Sequence, residues 1–239
     1  MREIDLNTKC NYIHLLSGGL DSAYSLLKIA RKLKKDKESL IIHPIFFDYG
    51  HFSATTEWER TVKIVEYIRG FLSDKKLLDD PVKISLKSDL FQWCESDAFK
   101  GKGDGTCEIE NRNIILFSVL ASYLIACARH QKIDSAEFKI TSGFKEKELP
   151  DCNNNFFKRI TELLGTYTKN KFKFDFDILE GMGRQTVINK TKKLLRWKKI
   201  ELRKFLQLTI SCYSPINGKP CNLCCKCRLL KKEKMKKKS

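Results

Sequence analysis

An apolar stretch, Tyr12 to Leu16, runs straight into Ser17-Gly18-Gly19-Leu20-Asp21-Ser22 and then into apolar residues at helical spacing from Ala23 to Lys34. A strand, a two-glycine turn and a helix in that order are the first half of a β-α-β unit, which commits the following strands to a parallel sheet. The rest of the chain keeps the alternation. Leu40 to Phe47 reads as a strand, Glu57 to Phe71 as an amphipathic helix and Val82 to Leu86 as a strand. Asn113 to Arg129 reads as a buried helix and Phe138 to Thr141 as a further strand. Lys171 to Leu179 alternates Phe172, Phe174 and Phe176 with charged neighbours, as a half-buried strand does, and helical segments follow from Gln185 to Leu208. The expected fold is α/β, a parallel doubly wound sheet.

At 239 residues the chain fits one domain, or a domain with a small appendage. Its 46 basic and 29 acidic residues leave a formal charge of +17, which attracts nucleic acid, nucleotides, acidic proteins or acidic membrane surfaces without choosing among them. The excess is densest at Arg31 to Lys37, Lys190 to Lys204 and Arg228 to Lys238, and such runs also serve simply as solvated surface. Met1 to Asn11 carries four charges and no apolar stretch, so the sequence predicts no targeting segment and a cytoplasmic, reducing location. Ile114 to Ala128 is broken only by Ser118 and Ser122 but falls short of the ~20 residues of a membrane span, so it is expected in the core. Lys87 to Arg112, with Gly101, Gly103 and Gly105, has no period and is expected to be a loop near an active site.

Chemistry first appears in Ser17 to Ser22. Two glycines let the backbone turn with its N–H groups inward, Ser17 and Ser22 add hydroxyl donors, and the helix that follows presents its positive end to the same point. That arrangement suits phosphate. It lacks the Gly-Lys-Ser/Thr ending of a Walker loop and the third glycine of a dinucleotide fingerprint.

A second signal is Cys212, Cys221, Cys224 and Cys227, spaced Cys-x8-Cys-x2-Cys-x2-Cys, with Pro215, Gly218 and Pro220 closing the longer arm. Four thiolates at this spacing suit one tetrahedral zinc, and the same set would serve an iron–sulfur cluster. With no open position the metal would be structural. Cys225 adjoins Cys224 and is a spare, while Cys10, Cys94, Cys107 and Cys127 have no spacing logic.

Ser-Gly-Gly-x-Asp-Ser after a first strand resembles the pyrophosphate loop of the ATP pyrophosphatase (PP-loop) superfamily, whose members cleave ATP to AMP and pyrophosphate while adenylating an oxygen. Four further segments narrow the likeness: Phe47-Asp48-Tyr49-Gly50, Arg112-Asn113, Ser142-Gly143-Phe144 through Leu149-Pro150-Asp151-Cys152, and Ser211-Cys212-Tyr213 before the four cysteines. Together and in this order they resemble the 7-cyano-7-deazaguanine synthase (QueC) family. The resemblance implies a Rossmann-like PP-loop domain over 1–208, a zinc knuckle over 209–230, a basic tail over 231–239 and a homodimer. It implies ATP, Mg2+ and Zn2+ as cofactors, with 7-carboxy-7-deazaguanine and ammonia as substrates. Leu16, Ser17, Gly18, Gly19, Leu20, Asp21 and Ser22 would hold ATP, with Asp21 orienting the loop or a magnesium ion. Asp48 and Tyr49 would line the nucleotide side of the cleft. Arg112 would meet the substrate carboxylate or a phosphate, and Asp151 the guanine-like edge. Cys212, Cys221, Cys224 and Cys227 would hold the zinc.

The sequence also departs from the family's pattern. After Asp48-Tyr49-Gly50 the family has Gln with a nearby His and Glu, whereas His51, Ser53 and Glu57 stand here in a shifted arrangement. Arg184-Gln185-Thr186 lacks the acidic member of a Lys-x-Glu, and Ile109-Glu110-Asn111 replaces Pro-Gly. Two alternatives therefore stand beside the synthase. One is a defence-associated relative that attaches a deazaguanine to a protein or nucleic acid. The other is a basic zinc-knuckle module binding nucleic acid, which would have no need of the phosphate loop.

Overall fold

A computed structural model describes residues 3–6, 10–36, 40–51, 53–72, 75–86, 112–143, 153–166, 168–174, 182–195, 199–212, 215–224, 227–228 and 231. Within them the expected alternation is present as β1 (Asn11–Leu15), α1 (Leu20–Asp36), β2 (Ile42–Asp48), α2 (Ala54–Arg69), β3 (Val82–Ser85), α3 (Arg112–His130) and β4 (Glu137–Ser142). There follow α4 (Asn154–Gly165), β5 (Lys171–Phe174), α5 (Arg184–Leu194) and α6 (Lys199–Leu208).

The described strands form one parallel sheet in the order β3-β2-β1-β4-β5. β1 is central, with Ile13 beside His43 of β2 on one side and Ile140 of β4 on the other. The chain builds outward from β1 to one edge, then returns to lay β4 along the free side of β1. That reversal leaves a crevice at the carboxyl ends of β1 and β4. Every residue of β1 and β2 is buried, as strands covered on both faces must be.

Alternate side chains of the strands feed two cores. Tyr12 and Ile42 join Leu26, Leu27, Leu33, Ile64, Ile68 and Phe205 from the layer of α1, α2, α5 and α6. Ile13, Ile45, Phe138 and Phe172 join Phe117, Leu120, Leu124 and Phe157 from the layer of α3 and α4. Each such side chain contributes roughly 1.5–3 kcal/mol on leaving water, so two filled layers hold the crevice open on a rigid frame.

Among the described helices α3 has the length and apolar composition to cross a membrane. Its Phe117, Leu120, Ala121, Leu124 and Ala128 instead pack into the sheet, where the sequence places that segment. The sequence reading has no counterpart of α4. Asn153, in an extended conformation, caps this helix by accepting from the Phe156 N–H at 2.8 Å, and Phe157 and Ile160 reach the core. The cap followed by apolar residues at 156, 157, 160, 163 and 164 was the available signal. Of the Lys87–Arg112 loop only Arg112 is among the described residues, and Tyr213, Cys225, Asp151 and the tail beyond Lys231 lie outside them.

Candidate functional site

The Ser17-to-Ser22 loop leaves β1 at the crevice and enters α1 at Leu20. Its ends are tied together: the Ser17 N–H donates to Ser22 Oγ at 3.3 Å, the two hydroxyls lie 3.2 Å apart, and Ser22 Oγ lies 3.2 Å from the Gly19 carbonyl. Gly18 turns the chain at φ +69°, and a Cβ there would stand 2.8 Å from the Glu57 carbonyl, so only glycine fits. The α1 N-terminus behind the loop carries first-turn N–H groups that no carbonyl within the helix accepts.

Three buried contacts hold this loop from below and behind. His14, a polar residue within the apolar β1, places Nε2 2.9 Å from the Ser22 carbonyl and Nδ1 2.8 Å from Thr141 Oγ1 of β4. The carbonyl can only accept, so the ring proton sits on Nε2. Gly143, just past β4, packs directly against the Asp21–Ser22 backbone, where a Cβ would collide. On the far side the Ile210 N–H donates to the Gly18 carbonyl at 2.9 Å, strapping the segment after α6 across the loop.

A cleft of about 300 Å³ opens above the loop. Leu16, Ser17, Gly19, Leu20, Asp21 and Ser22 line it, together with Tyr49, Arg112, Ser142 and Gly143. Arg112 and Asn113 open α3 and bring a guanidinium and an amide to the wall opposite the loop. Ile210, Ser211 and Cys212 close the remaining side, with Arg184 Nη1 donating to Ser211 Oγ at 3.3 Å. Gly18 lies beneath the wall and shapes it. Asp48 stands at the end of β2, between Phe47 and Tyr49 of the cleft lining. Its carboxylate is buried, pairs with Lys83 Nζ at 2.7 Å and accepts the Gly50 N–H at 3.0 Å, so it fixes the β2–β3 end and the turn that presents Tyr49. Burial works against the Asp48 charge, but the Lys83 ammonium and the Gly50 N–H outweigh it and hold the carboxyl below its ordinary range.

Sequence reasoning noted His51, Ser53 and Glu57 only as out of step with the family pattern, yet the fold brings them together. His51 Nε2 lies 3.0 Å from Glu57 Oε2, and Ser53 Oγ donates to Glu57 Oε1 at 2.8 Å. The His51 ring stacks on Tyr49 with centroids 4.0 Å apart. Glu57 lines the cleft, so a half-buried acid and a buried imidazole support the wall that carries Tyr49.

The four cysteines also converge. Sγ atoms of Cys212, Cys221, Cys224 and Cys227 all lie within 4.8 Å of one another, with Cys212 3.5 Å from Cys221 and 3.9 Å from Cys224. A tetrahedron of sulfurs about 2.3 Å from one zinc has edges of about 3.8 Å, so the donor set and its spacing fit a single ion. Backbone N–H groups of Leu223 and Cys224 point at Cys221 Sγ from 3.4 and 3.3 Å. Burial disfavours a thiolate there, but these donors prevail and bring Cys221 down to about 7. The arm between Cys212 and Cys221 turns at Asn217-Gly218, both at positive φ, with Ile216 and Lys219 exchanging hydrogen bonds across the turn. Arg60 of α2 ties this arm to the helical layer by donating to the carbonyls of Gln207 in α6 and Gly218 in the arm at 3.1 and 3.2 Å.

A phosphate-type loop at the switch point of a parallel sheet, walled by a segment that leads into a four-cysteine cluster, defines an ATP-using enzyme of the PP-loop class. Comparison with known proteins agrees. The family model described as queuosine biosynthesis protein QueC matches residues 11–237, and the chain belongs to that family. Two relatives, both named 7-cyano-7-deazaguanine synthase, from the Ames and the ATCC 23582/Paris lines of Leptospira biflexa serovar Patoc strain Patoc 1, are each 25% identical over 228 residues, covering 91% of this chain and 87% of theirs. Among solved structures, a 4-thiouridine synthetase in complex with RNA and bound ATP has a TM-score of 0.47 at 16% identity; the match covers 95% of this chain and half of that one. A U34-tRNA thiolase from Methanococcus maripaludis with its [4Fe-4S] cluster has a TM-score of 0.41 at 11% identity, covering 98% of this chain and 68% of that one.

Proposed function

We propose that the protein adenylates 7-carboxy-7-deazaguanine and converts it with ammonia to 7-cyano-7-deazaguanine, cleaving ATP to AMP and pyrophosphate. The observation that carries this reading is a Ser17-to-Ser22 phosphate loop that lines one cleft together with Arg112 in a chain of the QueC family. A carboxylate resists ammonia until one of its oxygens becomes a leaving group. Attack of that oxygen on the α-phosphorus of ATP expels pyrophosphate, ammonia then displaces AMP to give the amide, and a second adenylation at the amide oxygen lets AMP leave with formation of the nitrile. Over both rounds one carboxylic acid, one ammonia and two ATP give one nitrile, two AMP and two pyrophosphates.

The roles follow from placement. Ser17, Ser22 and the first-turn N–H groups of α1 receive the departing pyrophosphate, where developing negative charge meets fixed donors. Leu16 and Leu20 form the apolar floor, and Tyr49 walls the nucleotide side. Asp21 is the carboxylate suited to hold Mg2+, an ion that takes oxygen ligands and neutralises phosphate charge when bound. The Arg112 fork orients the substrate carboxylate or a phosphate, and Asp151 completes recognition of the guanine-like edge. Cys212, Cys221, Cys224 and Cys227 hold Zn2+ as a structural ion that secures the Ile210–Cys212 wall. The described cysteines are all free thiols, which suits a cytoplasmic enzyme. We also assign a homodimer, for which the outer side of α3, uncharged from Asn113 to Ala128, is the suitable face.

The test is to incubate the protein with ATP, magnesium, 7-carboxy-7-deazaguanine and ammonia and to weigh both the small molecules and the protein. Free nitrile with AMP is the expected outcome. A deazaguanine mass on a protein would transfer the reading to the conjugating alternative, and ADP with phosphate would end it.

A further inference from the structure

On the face of the molecule away from the cleft, α1 overhangs a groove of about 880 Å³ whose floor is Leu27, Leu72, Leu194 and Leu195. Its rim is Lys28, Arg31, Lys32, Lys34 and Lys35, and Phe71 completes the lining. Among the described residues no acidic one lines it. Lys28, Arg31, Lys32 and Lys35 recur at helical spacing and lie along one side of a single helix, while Lys34 turns off that row toward Phe71. Lys192 and Lys193, in the last turn of α5, stand next to the Leu194–Leu195 floor. Countering the negative end of a helix takes one or two cations in its last turn; here the charge continues two turns back along α1.

Phe71 gives the groove its second property. The ring is 38% exposed, an unusual place for a large apolar side chain, and its orientation is set by an edge contact with Tyr67 at 4.9 Å. The Lys34 ammonium lies 3.5 Å from the Phe71 carbonyl, so cation and ring are held side by side. A row of cations spaced to follow a phosphate chain, beside an exposed ring and an apolar floor, is what a strand with unpaired bases requires. A duplex would use the cations and leave the ring idle.

We infer that this groove binds single-stranded nucleic acid, with phosphates along Lys28 to Lys35 and a base laid on Phe71. The site is separate from the ATP cleft: no residue lines both, and along α1 the cations begin about 9 Å from Ser22 at Lys28 and reach about 20 Å at Lys35. It therefore stands whether or not the proposed synthase reaction does.

The test is fluorescence anisotropy of a labelled 12-nucleotide single-stranded RNA with the full chain, at 50 and 200 mM salt. Four phosphate contacts, at Lys28, Arg31, Lys32 and Lys35, at about 0.7 counterions each give a slope near −2.8, so affinity is expected to fall about 50-fold between the two salts. Arg31→Glu/Lys32→Glu/Lys35→Glu should weaken binding at least tenfold and flatten the slope by about 2, with ATP cleavage unchanged as the proof of folding. Phe71→Ala should weaken binding about fivefold or more without altering the slope. A triple variant that binds RNA like the parent would overturn the inference by placing the affinity elsewhere, for instance in the lysine tail. So would an acidic amphipathic peptide that binds the parent and not the triple variant while RNA binds neither.

Discussion

Gly143→Ala is expected to cripple this enzyme through a single methyl group. Gly143 is the contact at which the end of β4 meets the first turn of α1. A Cβ built there lies 2.5 Å from the Asp21 carbonyl oxygen and closer still to Asp21 C and Ser22 N. Ordinary contact begins at 3.4 Å, so the methyl intrudes by about 0.9 Å on backbone atoms that have no rotamer with which to yield. Either β4 or the phosphate loop must move by that amount. Forced overpacking of this kind costs about 1–3 kcal/mol, and a displacement near 1 Å in a catalytic loop costs about 100-fold in turnover. Pyrophosphate release from ATP with substrate present measures the second quantity and urea unfolding the first. Gly165→Ala, at the end of α4 with nothing within 4 Å of its Cβ, is the control and should keep full turnover with stability equal or slightly higher. Turnover within twofold of the parent in Gly143→Ala would refute the argument that loop position rests on this contact.

Asp48→Asn is expected to cost about 1.5–3 kcal/mol at pH 7 by removing the charged partner of Lys83 and of the Gly50 N–H. Because the folded carboxyl is held below its unfolded value of about 3.9, this contribution is complete above that pH and fades as pH falls through the folded value, so parent and variant melts should converge in acid. Glu57→Ala removes the acceptor of both Ser53 and His51, at about 1.5–3 kcal/mol per bond. By loosening the backing of Tyr49 it should raise KM for ATP more than it lowers kcat, with partial recovery in Glu57→Gln; equal loss in both parameters would mean the trio acts in chemistry instead. Elemental analysis should find one zinc per chain, lost in Cys224→Ser with a fall in Tm and kept in Cys225→Ser. Zinc affinity should fall as pH falls, because all four thiols must give up their protons to bind, and an affinity that does not change with pH would contradict ligation by these cysteines.

What the sequence could and could not disclose follows from the range of the interactions. The β1-loop-α1 unit and the alternation after it are local, so apolar period and two glycines were enough. The cysteine cluster was legible because its longest ligand spacing is the nine residues from Cys212 to Cys221. The pairing of Asp48 with Lys83 was not legible because it depends on the β2–β3 register, which no local pattern encodes. His51 and Glu57 looked mismatched on paper, since only a turn ahead of α2 folds the imidazole back onto the helix's first acidic residue. α4 has no counterpart in the sequence reading, although Asn153 is its cap. The basic run from Arg31 onward was visible, but not the Phe71 and Leu194–Leu195 that make it a groove.

The strap between Ile210 and Gly18 orders events at the ribosome. Gly18 is made early and Ile210 comes 192 residues later, so at roughly 5–20 residues per second the nucleotide loop waits on the order of 10–40 s for its own clasp. β1 waits too, with one edge unpaired until β4 is synthesised. A nascent chain halted anywhere before Ile210 holds its phosphate loop without the hydrogen bond that closes it.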